Sequence, residues 1–514
     1  MLRPPTFTAQ ALVEAGLRRG GDSLAVIDER GSTTYAELRR RTARLANALL
    51  GLGCTPARPV AALLGNRAEY VEIDVAATRA GVPRVGLSDR LSRDEWVYIL
   101  QDANAAVLVV TPDLLDQLGD VPDCLSSVLI VGDDSSYEFA LITASDSLAA
   151  RPIDPAGPNY ILYTSGTTGR PKGAWHSHAG RGAASLNMLA FELCATKSSV
   201  MMHVGPVTHG SGSKIIPFLA VGATNLLLER FDVGELIDAV ERHGATHSFM
   251  VPTMLQRLLE IDDKSAQTLN KLEQISFGGA PIASTLYRSV RERYGSLFVQ
   301  VYGSCEAPHP VTCLKLTDSM ELTDELVSSA GYVSPAVETR VVDAERNPLA
   351  AGEVGELEIA AAHLMAGYWN NAEATADVLP GDGWYQSGDL ASLSDEGLVT
   401  FHDRKRDLII SGGLNVYPSE VERVLLAHPD VRHAAVIGYP DDEWGESVAA
   451  YIVPRDGNGL SSADLTEWVK SRLASYKKPR RYEFRTELPM GSSHKILRQQ
   501  LREELWQGHD RRIN

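Results

Sequence analysis

Cysteine is sparse and scattered in this chain. Its five cysteines (Cys54, Cys124, Cys194, Cys305 and Cys313) form no C-x-x-C pair. That excludes a cysteine-rich zinc module and a disulfide framework, and the odd number fits a reducing, cytoplasmic setting. Excess positive charge is also missing. The formal net charge is -17, with no long block of one sign, which argues against nucleic-acid binding and against docking on anionic membranes. No apolar run reaches membrane-spanning length. The opening residues, MLRPPTFTAQ, lack the apolar core of a secretory signal. No repeat of 20–50 residues stands out.

What is present is length and apolar content. A chain of 514 residues exceeds one compact core, so two or more domains are expected. Short apolar strands alternate with helical stretches. VAALLG (60–65), AAVLVVT (105–111), NLLLE (225–229) and QISFGG (274–279) read as buried strands. Continuous apolar strands separated by helices indicate parallel sheets covered on both faces. Thr34 opens T-Y-A-E, read as a capping box closed by Glu37, with Leu38, Leu45, Ala46 and Leu49 on one helical face behind it. In the last hundred or so residues, HAAVIGYP and SVAAYIVPR are strands among short helices. The charged run HDRKRDL places a domain boundary at Lys405, giving domains 1–405 and 406–514.

One loop carries chemistry on its face. YTSGTTGRPKG (163–173) follows the apolar strand end YILY and combines hydroxyls, glycines and a lysine. Small residues let backbone N–H groups converge on an anion, the hydroxyls add donors, and Lys172 adds charge. It is a phosphate loop by composition, but it lacks the Gly-Lys-Ser/Thr ending of a Walker A loop.

Five further segments follow in a fixed order: GGAP (278–281), YGSCE (302–306), YQSGDL (385–390), DRKRDLIISGGLNVYPSEVE (403–422) and PMGSSHKILR (489–498). Together with the loop they resemble the motifs of the adenylate-forming superfamily, in its acyl-CoA synthetase branch, over nearly the whole chain. The resemblance implies an α/β fold. Its large N-terminal domain holds parallel-rich sheets layered with helices plus a β-subdomain, and its small C-terminal α+β domain is mobile. It implies two steps: a carboxylate attacks the α-phosphate of ATP to give acyl-AMP and pyrophosphate, and a thiol, usually of CoA, displaces AMP. Transfer to an acyl carrier protein is the alternative. ATP, Mg²⁺ and coenzyme A are the implied cofactors, a small carboxylic acid the substrate, and a homodimer is compatible with the family. A binding or scaffold protein that has lost activity is a third reading, and intact Lys172, Glu306, Asp389, Arg404 and Lys495 speak against it.

The residue roles come by the same resemblance. Thr164, Ser165, Gly166, Thr167, Thr168, Gly169 and Lys172 hold the β- and γ-phosphates. Glu306 ligates Mg²⁺, with Thr164 a weaker candidate; a hard cation prefers such oxygens. Gly279, Ala280 and Pro281 approach the adenine, and Tyr302 lies against it, followed by Gly303, Ser304 and Cys305. Asp389 and Arg404 take the ribose. Lys495 is the catalytic lysine of adenylation. Arg406 is the hinge, about which the small domain rotates after the first step. Gly412 and Gly413 line the pantetheine path, and Trp444, Tyr476 and Lys478 surround the CoA nucleotide. His209, Gly210, Gly212, Gly278, Gly303 and Ala307 line the acid pocket and thiol tunnel. Gly210 stands where amino-acid-activating members tend to carry a carboxylate, which favours a simple acid. Lys214, close by, is expected to be solvated.

Two departures stand out. Cys305 replaces the usual Thr, a much weaker donor, and His494 replaces the usual Gly before Lys495. Two decoys are set aside. Ser23 in GGDSL resembles a phosphopantetheine attachment site, but only 22 residues precede it and a domain start follows. His176 and His178 in WHSHAG look metal-like but lack partners at ligand spacing, so they are read as structure flanking the loop.

Overall fold

The structure is a computed structural model; it describes residues 7–149, 152–164, 170–441, 443–455, 459–490 and 496–506. The chain forms two compact units. The larger comprises Met1–Thr164, Pro171–Glu338 and Ile359–Tyr385, and the smaller is built mainly of Thr339–Glu358 and Gln386–Asn514.

In the large unit, a seven-stranded sheet runs in the order Gly367–Tyr368, Lys172–Ser177, Pro158–Thr164, Arg84–Gly86, Val60–Leu63, Val107–Val110, Ser127–Ile130. The four pairings from Pro158–Thr164 to the edge strand Ser127–Ile130 are parallel, and all of Val60–Leu63 and Val107–Val110 is buried. A second sheet carries the parallel strands Gln274–Phe277, His247–Met250, Val200–His203, Thr224–Leu227 and Leu24–Asp28. The apolar runs therefore do become doubly covered parallel strands. The helix Ala68–Ala80 is buried at every residue from Tyr70 onward. Its Asp74 accepts from Arg84 Nε at 2.7 Å and from Arg181 Nη2 at 2.5 Å. Burial would raise that carboxyl, but the two guanidiniums outweigh it and bring it down to about 2. Arg181 also donates to Asn159 at 2.8 Å, which anchors the strand leading into the phosphate loop.

Two local expectations change. Thr34 caps its helix by accepting from Glu37 N at 3.2 Å, and Leu38, Leu45, Ala46 and Leu49 are buried as expected. The reciprocal half of the capping box is absent: the Glu37 carboxylate turns to Arg40, one helical turn on, which offers two charge-assisted bonds. A complete capping box forms instead at Ser92 and Glu95. Ser23 lies in the turn before strand Leu24–Asp28, as a loop residue.

In the small unit, strands Val337–Val342, Gly355–Ala361, Tyr385–Leu393 and Leu398–Arg404 lie side by side in that order. A five-stranded sheet follows. The long antiparallel pair Val431–Asp441 and Gly445–Pro454 is flanked by Ile409–Ser411, Leu414–Val416 and the parallel strand Arg481–Phe484. Helices Pro418–Leu426, Ser462–Lys470 and Arg498–Leu505 accompany it. Among the described residues no helix is long and apolar enough to cross a membrane.

Candidate active site

Thr164 and Lys172 face each other across an antiparallel pair, so the residues between them form the connection of a hairpin. Thr164 Oγ1 donates to the Lys172 carbonyl at 3.4 Å. Ser165, Gly166, Thr167, Thr168 and Gly169 lie outside the described residues. Lys172 is half-buried and has no carboxylate partner among the described residues. Its ammonium instead sits 5.2 Å from the centre of the Tyr368 ring.

Tyr368 also reaches the second charged residue. Its hydroxyl donates to Glu306 Oε1 at 2.9 Å, while Glu306 Oε2 takes no hydrogen bond among the described residues. One aromatic side chain thus joins a cation and a carboxylate 134 residues apart in sequence. Backbone bonds fix the arrangement: Met365 N donates to Glu306 O at 2.7 Å and Trp369 N to Gly173 O at 2.7 Å. The sequence reading missed Tyr368. Its only signal, an aromatic in MAGYWN, is too common to single it out.

Glu306 follows strand Phe298–Tyr302, which pairs in parallel with Gln274–Phe277. The GGAP and YGSCE segments therefore leave adjacent parallel strands at their carboxyl ends, where open α/β sheets bind ligands. Gly279, Ala280 and Pro281 are exposed there, and Tyr302, Ser304 and Cys305 are half-buried. Gly303 admits no side chain: a Cβ would lie 2.4 Å from His309 N and 2.8 Å from Ala307 O. Gly278 is buried one strand over, and Ala307 is buried beside Gly303. His176 is buried, stacks on Tyr160 and donates from Nε2 to the Cys305 carbonyl at 2.7 Å. His178 lies 3.0 Å from Asn159 Nδ2. Burial holds both imidazoles down to about 4, and both serve as scaffold for the loop.

The segment expected to bound the acid folds as a tight 3₁₀ turn, Gly210–Lys214, with exposed His209 before it and buried Gly212 inside it. Lys214 corrects the sequence reading. It is fully buried rather than solvated, and it pairs with Glu192, also fully buried. Its ammonium is 2.9 Å from His309 Nε2. Burial pushes the ammonium downward, and the Glu192 carboxylate opposes the shift.

In the small unit, Asp389 and Arg404 are register partners across a hairpin, with Arg404 Nε 2.6 Å from Asp389 Oδ1. Arg406 is exposed on the short turn Lys405–Asp407. The next residue, Asp407, is buried and accepts from Arg502 Nη1 at 2.9 Å, which ties the turn to the helix Arg498–Leu505. Gly412 and Gly413 hold left-handed backbone at φ +59° and +78°. Gly412 N donates to Trp444 O at 2.8 Å, and Trp444 is partly exposed under the Arg480 guanidinium at 5.2 Å. Tyr476 and Lys478 are half-buried nearby in sequence, but the ion pair to Glu420 is made by Lys477. Arg480 was not singled out beforehand, because one more base in KKPRR gives no cue. Lys495 and His494 lie outside the described residues.

Comparison with known proteins decides the family. The AMP-binding enzyme domain matches residues 13–369, and the AMP-binding enzyme C-terminal domain matches 420–495. The chain belongs to the AMP-binding enzyme family. A feruloyl-CoA synthase of Amycolatopsis sp. is 36% identical over 488 residues, 95% of each chain. A fatty acid–[acyl-carrier-protein] ligase, ScoC of Streptomyces coeruleorubidus, is 31% identical, again over 95% of each. The ATP-bound structure of MatB from Rhodopseudomonas palustris superposes with a TM-score of 0.88 at 29% identity, covering 97% of this chain and 99% of that one. The family's adenylate-forming fold is thus matched over 97% of this chain.

Proposed function

We propose that this protein is an ATP-dependent acid–CoA ligase that forms AMP and pyrophosphate. The observation that carries this reading is the Lys172–Tyr368–Glu306 arrangement, with Glu306 just past the carboxyl end of a parallel strand, in a chain matched over 95% of its length by a feruloyl-CoA synthase.

In the first step a carboxylate oxygen of the acid bonds to the α-phosphorus of ATP, and pyrophosphate leaves. Anions converge, so the site must supply cations and oriented donors. Lys172 has no carboxylate among the described residues to compete for its charge and takes the β- and γ-phosphates together with Thr164 and the following loop. Glu306 offers a free carboxylate oxygen. One carboxylate plus substrate phosphates is the donor set that Mg²⁺ favours, so the residues fit that ion, which would neutralise phosphate charge. Tyr302, Gly279, Ala280 and Pro281 hold the adenine. Asp389 and Arg404 take the ribose, and Lys495 pairs with the carboxylate and α-phosphate. In the second step the CoA sulfur bonds to the acyl carbon and AMP leaves with the electron pair. Residues 406–514 act as the mobile domain, with Arg406 as pivot. Gly412, Gly413, Trp444, Tyr476 and Lys478 receive CoA, and Arg480 joins them through its contact with Trp444. We place the reaction in the cytoplasm, where both nucleotides are available.

The test is acid-dependent pyrophosphate release from ATP across aryl, alicyclic and fatty acids, with acyl-CoA and AMP as coupled products. The carrier-protein ligase relative favours a second reading, in which the acceptor is a phosphopantetheinylated carrier. Free CoA against a loaded carrier, each offered the same acyl-AMP, separates the two.

A further inference from the structure

The wall of the expected acid pocket contains a polar assembly that the two-step chemistry leaves unused. Glu192 closes the π-helical turn Met188–Glu192, and Lys214 closes the 3₁₀ turn Gly210–Lys214. The two side chains pair with no exposure to solvent. In front of them stands His309. Its ring stacks on Phe249 at 5.4 Å between centroids, and its backbone lies against Gly303 and Ala307, two residues of the expected wall. A Cβ on Gly210, a third wall residue, would strike the Phe249 ring at 2.8 Å. Gly210, Phe249, His309, Gly303 and Ala307 thus form one continuous surface, backed by the Lys214–Glu192 pair.

The Lys214 ammonium is the contact that argues for which ring nitrogen of His309 carries the proton. Lys214 Nζ lies 2.9 Å from His309 Nε2, while Ser213 Oγ, 3.1 Å from the same atom, gives its proton to the Gly210 carbonyl at 2.6 Å and so does not decide the tautomer. An ammonium only donates, so Nε2 accepts and the ring proton sits on Nδ1. The buried Lys214 charge and the burial of the ring both oppose a second proton. Nδ1–H has no partner among the described residues, and the His309 ring retains some exposure. Glu192 Oε2 is also without a partner among the described residues, but it is buried behind the ring, whereas Nδ1–H is the donor open to a ligand's acceptor.

We propose that His309 Nδ1–H, oriented by the Lys214–Glu192 pair through Nε2, is a specificity-determining donor in the acid pocket. The enzyme then prefers carboxylic acids bearing an acceptor oxygen (hydroxyl, alkoxy or keto) over matched hydrocarbon acids. The inference rests on the ligase reading above and names the substrate class of that same site. An oxygen is favoured over a second carboxylate, because Glu192 already neutralises Lys214 and no net positive charge is left behind the ring. Lys214 is a positioning residue here, since it acts through His309.

The experiment measures kcat/KM for pyrophosphate release with pairs of acids differing only in one such oxygen. One hydrogen bond should favour the oxygenated acid by about two- to tenfold in the unaltered enzyme. His309→Phe keeps the ring stack and removes the donor, and should bring the ratio to about one. His309→Asn keeps an N–H near the Nδ1 position and should restore most of it. Glu192→Gln/Lys214→Met removes both charges together and should lower the ratio. Selective ¹⁵N-histidine NMR of the unaltered protein should show His309 as the Nδ1–H tautomer, whether or not any variant folds. An Nε2–H tautomer, a parent ratio near one, or an unchanged ratio in His309→Phe would each overturn the proposal. No release with any acid would instead sink the ligase reading, a distinct result.

Discussion

Lys172 and Lys214 lie in the same unit, and each is set off by a carboxylate and an aromatic ring, yet their surroundings are opposite. Lys172 is half-exposed, shares Tyr368 with Glu306 and has no ion-pair partner among the described residues. Lys214 is sealed, touches Glu192 directly and lies 5.6 Å over the Phe249 ring. The physical contrast is that one ammonium is left undersupplied with protein partners among the described residues and so open to a ligand, whereas the other is buried and paired. A buried ion pair adds little net stability, because desolvation offsets the attraction, but losing one partner strands the other.

The comparison breaks first at the buried end. Lys214→Met leaves Glu192 uncompensated and should cost about 3–5 kcal/mol of unfolding free energy. Chemical denaturation should show that loss, while Lys172→Met leaves the midpoint nearly unchanged. If the two variants are equally stable, the contrast is wrong. At the ligand end the effect should fall on rate instead. Lys495→Ala should slow acyl-AMP formation by about 10²–10³-fold, the usual cost of one oriented charge-stabilising group. Thioester formation from supplied acyl-AMP should stay largely intact, and equal loss of both half-reactions would count against the assigned role.

Proton linkage sharpens the same contrast. Burial holds His176, His178, His203, His247 and His363 in the large unit down to about 4. The unfolded chain then binds protons that the folded chain refuses between roughly pH 6.5 and 4, so stability is complete above that window and falls as pH drops through it. Each such histidine contributes a slope of up to about 1.4 kcal/mol per pH unit. Thermal melts at pH 7.5 and 5.5 should show a clear drop, and a flat profile would contradict the burial of these rings. The smallest effect is expected at Cys305. Cys305→Thr restores a hydroxyl donor and should raise pyrophosphate release from a few-fold to about a hundredfold, if that donor limits the step. The thioester step should not change. A Thr that weakens a bulky acid while helping a small one would mean that the thiol serves space, since Thr is β-branched and stiff. Single-turnover assays with a large and a small acid distinguish these results.

The elements that carry the expected phosphate residues were legible from sequence, because each sits in a contiguous segment whose order is itself informative. Thr164 and Lys172 bracket one hairpin, and Tyr302 to Glu306 leave one strand end. The parallel strands were legible for a similar reason: VAALLG and QISFGG are apolar throughout, as only doubly covered strands are. Tyr368 was not, since its function comes from reaching two distant segments at once. Lys214 was misread, because a lysine's default is solvent and nothing in PVTHGSGSK announces Glu192 or His309. The helix cap at Thr34 was half legible: the hydroxyl acts within four residues, but the Glu37 carboxylate had a choice of partners, and Arg40 won.

By itself, the sequence determined the family and the alternation of strands and helices, since local pattern and motif order carry that information. Only the tertiary structure decided the pairing of Lys214 with Glu192, the place of His309 beside that pair and the bridge at Tyr368. Those outcomes depend on which distant side chains burial brings within hydrogen-bond reach, and a buried charge takes whatever partner the packing supplies.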